Sequence, residues 1–140
     1  MGVVWRIPVL SLVLLLVAGA AFGEQTGCVL PSQRTMVVAE LFFGRAVPGR
    51  RPVSNAEWSG FVAHVIARHF PDGFTVHDGS GSWRDPATHK IASERTKILT
   101  VAVDPASDPG PRLQAVMDAY RKQFRQSSFG VITTNACGAF

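Results

Sequence analysis

Two stretches with helical spacing, each set between strand-length apolar runs, restrict this chain to few folds. The first opens on Ser54-Asn55-Ala56-Glu57, where Ser54 caps a helix and Glu57, three residues on, reaches back to close a capping box. Trp58, Phe61, Val62, Val65 and Ile66 follow at i, i+3, i+4, i+7 and i+8, so one face has to bury. His64 and Arg68 fall on the wet side. The second stretch is led by Pro111, whose missing N–H costs nothing in a first helical turn. Leu113, Val116, Met117, Tyr120 and Phe124 repeat the stripe, and Asp118 with Lys122 has the spacing of an i,i+4 ion pair.

The runs between them read as strands. Thr35 to Phe43 is almost continuously apolar, as in a strand buried on both faces or one with a buried face and a sticky face. Pro71 pushes Phe70 out of the helical region, and Asp72-Gly73 is a turn pair. Phe74-Thr75-Val76-His77 then alternates apolar and polar, the period of a half-buried strand. Asp78-Gly79 is a hairpin signal, with slack from Gly81, that returns Trp83 and Arg84 towards the surface defined by Thr75 and His77. Ile91 to Val103 forms a long strand, Asp104 to Pro111 a loop, and Phe129 to Thr134 a short last strand.

The order β-α-β-β-α-β predicts an α+β, ferredoxin-like domain: a four-stranded antiparallel sheet with two helices on one face. In that topology the first and last strands are antiparallel neighbours. Cys28 precedes the first and Cys137 follows the last, and these are the two cysteines of the chain. The fold therefore brings them together, and a Cys28–Cys137 disulfide is expected in an oxidising compartment.

The N-terminus points to such a compartment. Arg6, the apolar run Ile7 to Val17 and the small residues Ala18 to Gly23 have the form of a secretory signal peptide. The run is shorter than the roughly 20 residues a spanning helix needs. The reading is a signal peptide over residues 1–23, cleaved after Gly23 with Ala20 as the alternative, then an irregular lead 24–34 and a single domain 35–140. The mature chain carries no transmembrane span, and its place is the periplasm or outside the cell. A second reading makes Cys28 a lipidated N-terminal cysteine, but Gln25 stands where such signals carry an aliphatic residue. The formal charge is +4, spread along the chain without a basic block, so no nucleic-acid partner is expected.

No spacing announces a cofactor. His64 and His69 diverge by roughly 140° on a helix of 3.6 residues per turn. His77 and His89 lie in separate segments. Gly79-Ser80-Gly81-Ser82 fits neither a nucleophile elbow nor a dinucleotide fingerprint, and no phosphate loop is present. What remains is the sheet face away from the helices. With Val37, Ala39, Leu41 and Phe43 turned to the helices, Met36, Val38, Glu40 and Phe42 point the other way, joined by Thr75 and His77 and by Glu94, Thr96 and Ile98. Such a face is too apolar to stand bare. A second copy, a small-molecule ligand or the Trp83 hairpin is expected to cover it. Glu40 and His77 are the candidate acid–base pair there. The plainer alternative leaves Glu40 solvated, or paired with Arg95 or Lys97.

Several of these segments, in order, resemble one exported bacterial family. They are Leu41-Phe42-Phe43-Gly44, Ser54-x-x-Glu57-Trp58-x-x-Phe61, Phe70-Pro71-Asp72-Gly73-Phe74-Thr75-Val76, Gly81-x-Trp83-Arg84, Glu94-Arg95-x-Lys97 and Tyr120-x-x-x-Phe124-x-Gln126. The family is domain-of-unknown-function family 3574, and the likeness spans about Met36 to Thr134. The resemblance implies a small exported domain and carries over no activity or catalytic residue. Its motifs draw attention to Asp72, Trp83, Arg84 and Glu94 as ligand-binding candidates. Two functions are expected from different classes. One is a non-enzymatic binding or self-assembly module of the cell envelope, a homodimer through the open sheet face. The other is a small enzyme of the dimeric α+β barrel kind using Glu40 and His77.

Overall fold

The computed structural model describes residues 1, 27–86, 88–127 and 129–140. The signal peptide assigned to residues 1–23 falls, apart from Met1, outside them. The strands are β1 (Arg34–Gly44), β2 (Thr75–Arg84), β3 (Ile91–Val103) and β4 (Gly130–Gly138), in the sheet order β2-β3-β1-β4 with every neighbouring pair antiparallel. Two helical segments join them in the expected alternation. The result is the α+β, ferredoxin-like arrangement that the apolar periods predict.

The first helix starts at Asn55 with the capping box in place: the Ser54 hydroxyl accepts from the Glu57 N–H, and the Glu57 carboxylate accepts from the Ser54 N–H. Arg50 adds a second donor to Glu57 at 2.8 Å. The Ser54 backbone N–H, then the Arg50 guanidinium, hold the Glu57 carboxyl down to about 2. A depressed acid stabilises the fold above its unfolded pKa and loses that contribution as pH falls through the folded value. Thermal melts should therefore show a loss of stability between pH 4.5 and about 2 that Glu57→Gln makes smaller. Identical pH profiles for the two proteins would contradict this role.

Beyond Phe61 the helix widens into a π turn, Val62–Ile66, before closing as Ala67–His69. The even stripe expected from spacing is thus modified. Residues five apart diverge by roughly 140° in an α-helix. The wider turn brings Phe61 and Ile66 to the same side, both fully buried, and leaves Val62 and Val65 half-buried. The second helix, Pro109–Phe124, buries Leu113, Val116, Tyr120 and Phe124. Asp118 meets Gln114 at 3.0 Å and Arg121 at 3.9 Å in place of the expected Lys122.

The core lies between the helices and one sheet face. Phe43 is its hub, with ring centroids 4.7 Å from Tyr120, 5.4 Å from Trp58 and 6.0 Å from Phe61. Ala39, Leu41, Leu99 and Val101 fill the sheet side. Burial raises the Tyr120 hydroxyl far above its usual pKa, and that hydroxyl donates to the Gly44 carbonyl at 2.9 Å.

Two further expectations change. Asp78-Gly79 makes no turn: β2 continues through it to Arg84, each residue registered against β3, and the chain reverses at Asp85–Lys90. The glycines serve neighbouring side chains instead. A Cβ on Gly79 would crowd the tip of Ile98, and one on Gly81 would press on the Thr96 hydroxyl. Lys97 holds Asp78 at 2.6 Å and lowers its pKa, while the Ser82 and Ser93 hydroxyls bond at 2.8 Å, so the polar residues pair across the ladder. The second change is at the C-terminus. β4 extends past Thr134 to Gly138, so Cys137 sits inside the strand, opposite Thr35. The Cys28–Cys137 disulfide is formed, with Cα atoms 5.6 Å apart.

Candidate functional site

Antiparallel register fixes which residues share the face without helices, because directly opposed residues point the same way. One row reads Ile132, Glu40, Thr100, Thr75 from β4 to β2. The next reads Gly130, Phe42, Ile98, His77. Val38 lies between Thr134 and Ala102 on the other side of Glu40. The face is half-exposed and mixed: Val38, Phe42, Ile98, Ala102 and Ile132 stand among Glu40, Thr75, His77, Thr100 and Thr134, and Ile132 is 55% exposed. Because β2 runs straight, the hairpin bearing Trp83 extends the sheet and does not fold over it.

Met36, expected on this surface, is only 3% exposed. It packs over Gly138, where a Cβ would collide with its sulfur, and beside Phe140. The bare apolar patch is therefore Val38, Phe42, Ile98 and Ile132.

Glu40 and His77 share the face but stand on strands separated by β3, one row apart. Glu40 accepts a long hydrogen bond from the Thr100 hydroxyl, 3.5 Å. Neither proposed basic partner reaches it in an ion pair among the described residues: Lys97 is engaged by Asp78, and Arg95 lies opposite Ser80 on the other face. His77 is exposed on β2, a sheet edge.

The ligand-binding candidates divide. Trp83 and Glu94 come together in a groove of about 1010 Å³ at one end of the open face. Glu94 is opposite Gly81 and Trp83 opposite Ala92, which makes them diagonal neighbours on one face. The Glu94 carboxylate lies flat over Gly44, where any Cβ would displace it, and accepts from the Ala46 N–H at 2.8 Å. Arg84 has the opposite parity and donates to the His89 carbonyl at 2.9 Å. Asp72 is at the far end of the sheet, in a smaller cavity of about 340 Å³ with Arg112, Met36 and Phe140. Sequence reasoning had not linked Phe42, Gly44, Arg125 and Phe129 to Trp83, although they line the same groove. The Leu41-Phe42-Phe43-Gly44 motif was a signal, but only the register shows that Gly44 seats Glu94. Among the described residues no group of three or more His, Cys, Asp or Glu is placed to hold a metal ion, and no helix is long and apolar enough to cross a membrane.

The sequence pattern of the family described as "Protein of unknown function (DUF3574)" matches residues 38–140. The chain belongs to this family. The match takes in β1 from Val38, both helices, the groove and Cys137. No curated protein sequence matches significantly. Among solved structures, a phage SAM lyase in complex with S-methyl-5'-thioadenosine is similar at a TM-score of 0.57 and 14% identity, over 75% of this chain and 90% of its own. A phage SAM lyase in the apo state is similar at 0.53 and 18% identity, over 72% and 81%. At such identities the likeness is one of fold.

Proposed function

We propose that this is an exported envelope domain that works as a binding module and self-associates through the open face of its sheet. The observation that carries this is the uncovered patch of Val38, Phe42, Ile98 and Ile132. No element of the described chain packs on it, and water is a poor solvent for it. The signal-type N-terminus and the disulfide support an oxidising location outside the cytoplasm. Strand spacing and rise give the face a projected area of roughly 500 Å². Stable interfaces bury about 800 Å² per partner and smaller ones are weak and transient, so a weak dimer is expected and micromolar protein is the range in which to look for it. Sedimentation equilibrium should show a monomer–dimer exchange in that range. Val38→Lys, which plants a hydrated ammonium mid-face, should leave a monomer with an unchanged circular dichroism spectrum. Dimerisation indifferent to Val38→Lys would overturn the proposal.

A second reading is favoured by the shared fold with the phage SAM lyases. It takes the domain as a small enzyme on a sulfonium or nucleoside substrate, with Glu40 and His77 as acid and base. Their separation across β3 counts against a direct pair. Incubation with S-adenosylmethionine decides it: released S-methyl-5'-thioadenosine, lost in Glu40→Gln, would establish this reading.

A further inference from the structure

We infer that the groove at the β2–β3 end of the open face is a binding site for a small organic cation with a flat aromatic or heteroaromatic body. Its volume, about 1010 Å³, accommodates a molecule of that class. Its lining divides by chemistry. Trp83 offers a ring that is 44% exposed, with Phe42 and Phe129 on the wall towards β4. Two carboxylates line the groove: Asp85 is tied into its own turn, accepting from the Thr88 N–H at 2.9 Å, and the charge beside Trp83 on the same sheet face comes from Glu94. One of its oxygens accepts from Ala46, and among the described residues no basic side chain pairs with it.

The chain is built to hold that carboxylate in place. Gly44 leaves the space it lies in, and the Ala46 N–H fixes its orientation. Glycines at 44, 81 and 130 keep the floor low, as where a ligand approaches backbone closely. Aromatic faces attract cations through the ring quadrupole, and an anchored carboxylate beside one reinforces that preference. Arg125, which follows the second helix, is the basic residue of the lining, and it forms no ion pair with Glu94. The site lies beyond the patch proposed for self-association, with Phe42 bordering both.

Three probes with one phenyl ring and different charge test the inference: phenethylammonium, 2-phenylethanol and phenylacetate. NMR titration of the full chain follows the Trp83 indole N–H and the Ala46 amide. The cation should bind about tenfold more tightly than the alcohol, and phenylacetate should bind more weakly than either. Glu94→Gln keeps an acceptor for Ala46 and so preserves the local structure. It should bring the cation's affinity down to that of the alcohol. Trp83→Ala should weaken cation and alcohol alike, while Arg125→Gln should leave the cation at least as tightly bound. Val38→Lys should bind the cation normally, so a failure of self-association and a failure of this site are separable. Equal binding of all three probes, no binding at millimolar probe, or a Glu94→Gln protein that still prefers the cation would each overturn it.

Discussion

Phe43→Ala should destabilise the domain by about 3–5 kcal/mol, the range for emptying a buried phenylalanine site. Phe43 is fully buried, and four rings surround it, from Trp58, Phe61, Tyr120 and Phe129. Those rings come from both helices and from the segment that leads into β4, so none can collapse into the hole without disturbing its own element. Domains of this size have about 5–15 kcal/mol of stability in all. At roughly 4–8 °C per kcal/mol the melting temperature should fall by some tens of degrees. Urea unfolding of the two proteins measures this. A loss below about 1 kcal/mol would show that the aromatic cluster is not the core's centre.

Removing the Cys28–Cys137 bridge should have a comparable effect by a different route. The bridge closes a sequence separation of 109 residues. For loops near that length the chain-entropy model gives roughly 4–5 kcal/mol, an upper figure because the unfolded chain keeps some structure. The effect falls on the unfolded state, whereas Phe43→Ala acts on the folded one, so the two losses should add. Cys28→Ser with Cys137→Ser should melt well below the oxidised protein yet keep its circular dichroism, since the helices still bury against the sheet. Peptide mapping without reductant should recover the 28–137 linkage from protein isolated from its own compartment. Two free thiols there would contradict both the bridge and the location.

The architecture was legible because long-range order followed from local period. The stripes of Trp58–Ile66 and Leu113–Phe124, with the capping box at Ser54, needed only sequence spacing. The neighbouring of β1 and β4 followed from topology, and with it the disulfide. Gly79 and Gly81 misled because a glycine in sequence reads as backbone freedom, whereas here each leaves room for a side chain of β3. That role depends on cross-strand register, which no local pattern carries. The same holds for the site. Trp83 and Glu94 drew attention singly, but Gly44 and Glu94 are 50 positions apart, and only the β1–β3 ladder brings the carboxylate over the glycine. Met36 shows the converse error. Parity placed it on the open face correctly, but the tail at Gly138 and Phe140 buries it.

Self-association through the open face is the central claim, and contact between copies tests it most directly. Mixing isotopically labelled and unlabelled protein at concentrations above the dissociation constant permits an isotope-filtered NOE measurement of contacts between molecules alone. The predicted cross-peaks join the methyls of Val38, Ile98 and Ile132 to one another and to the Phe42 ring of the second copy. Intermolecular peaks confined to helix residues, or none at a concentration where sedimentation finds dimer, would contradict it.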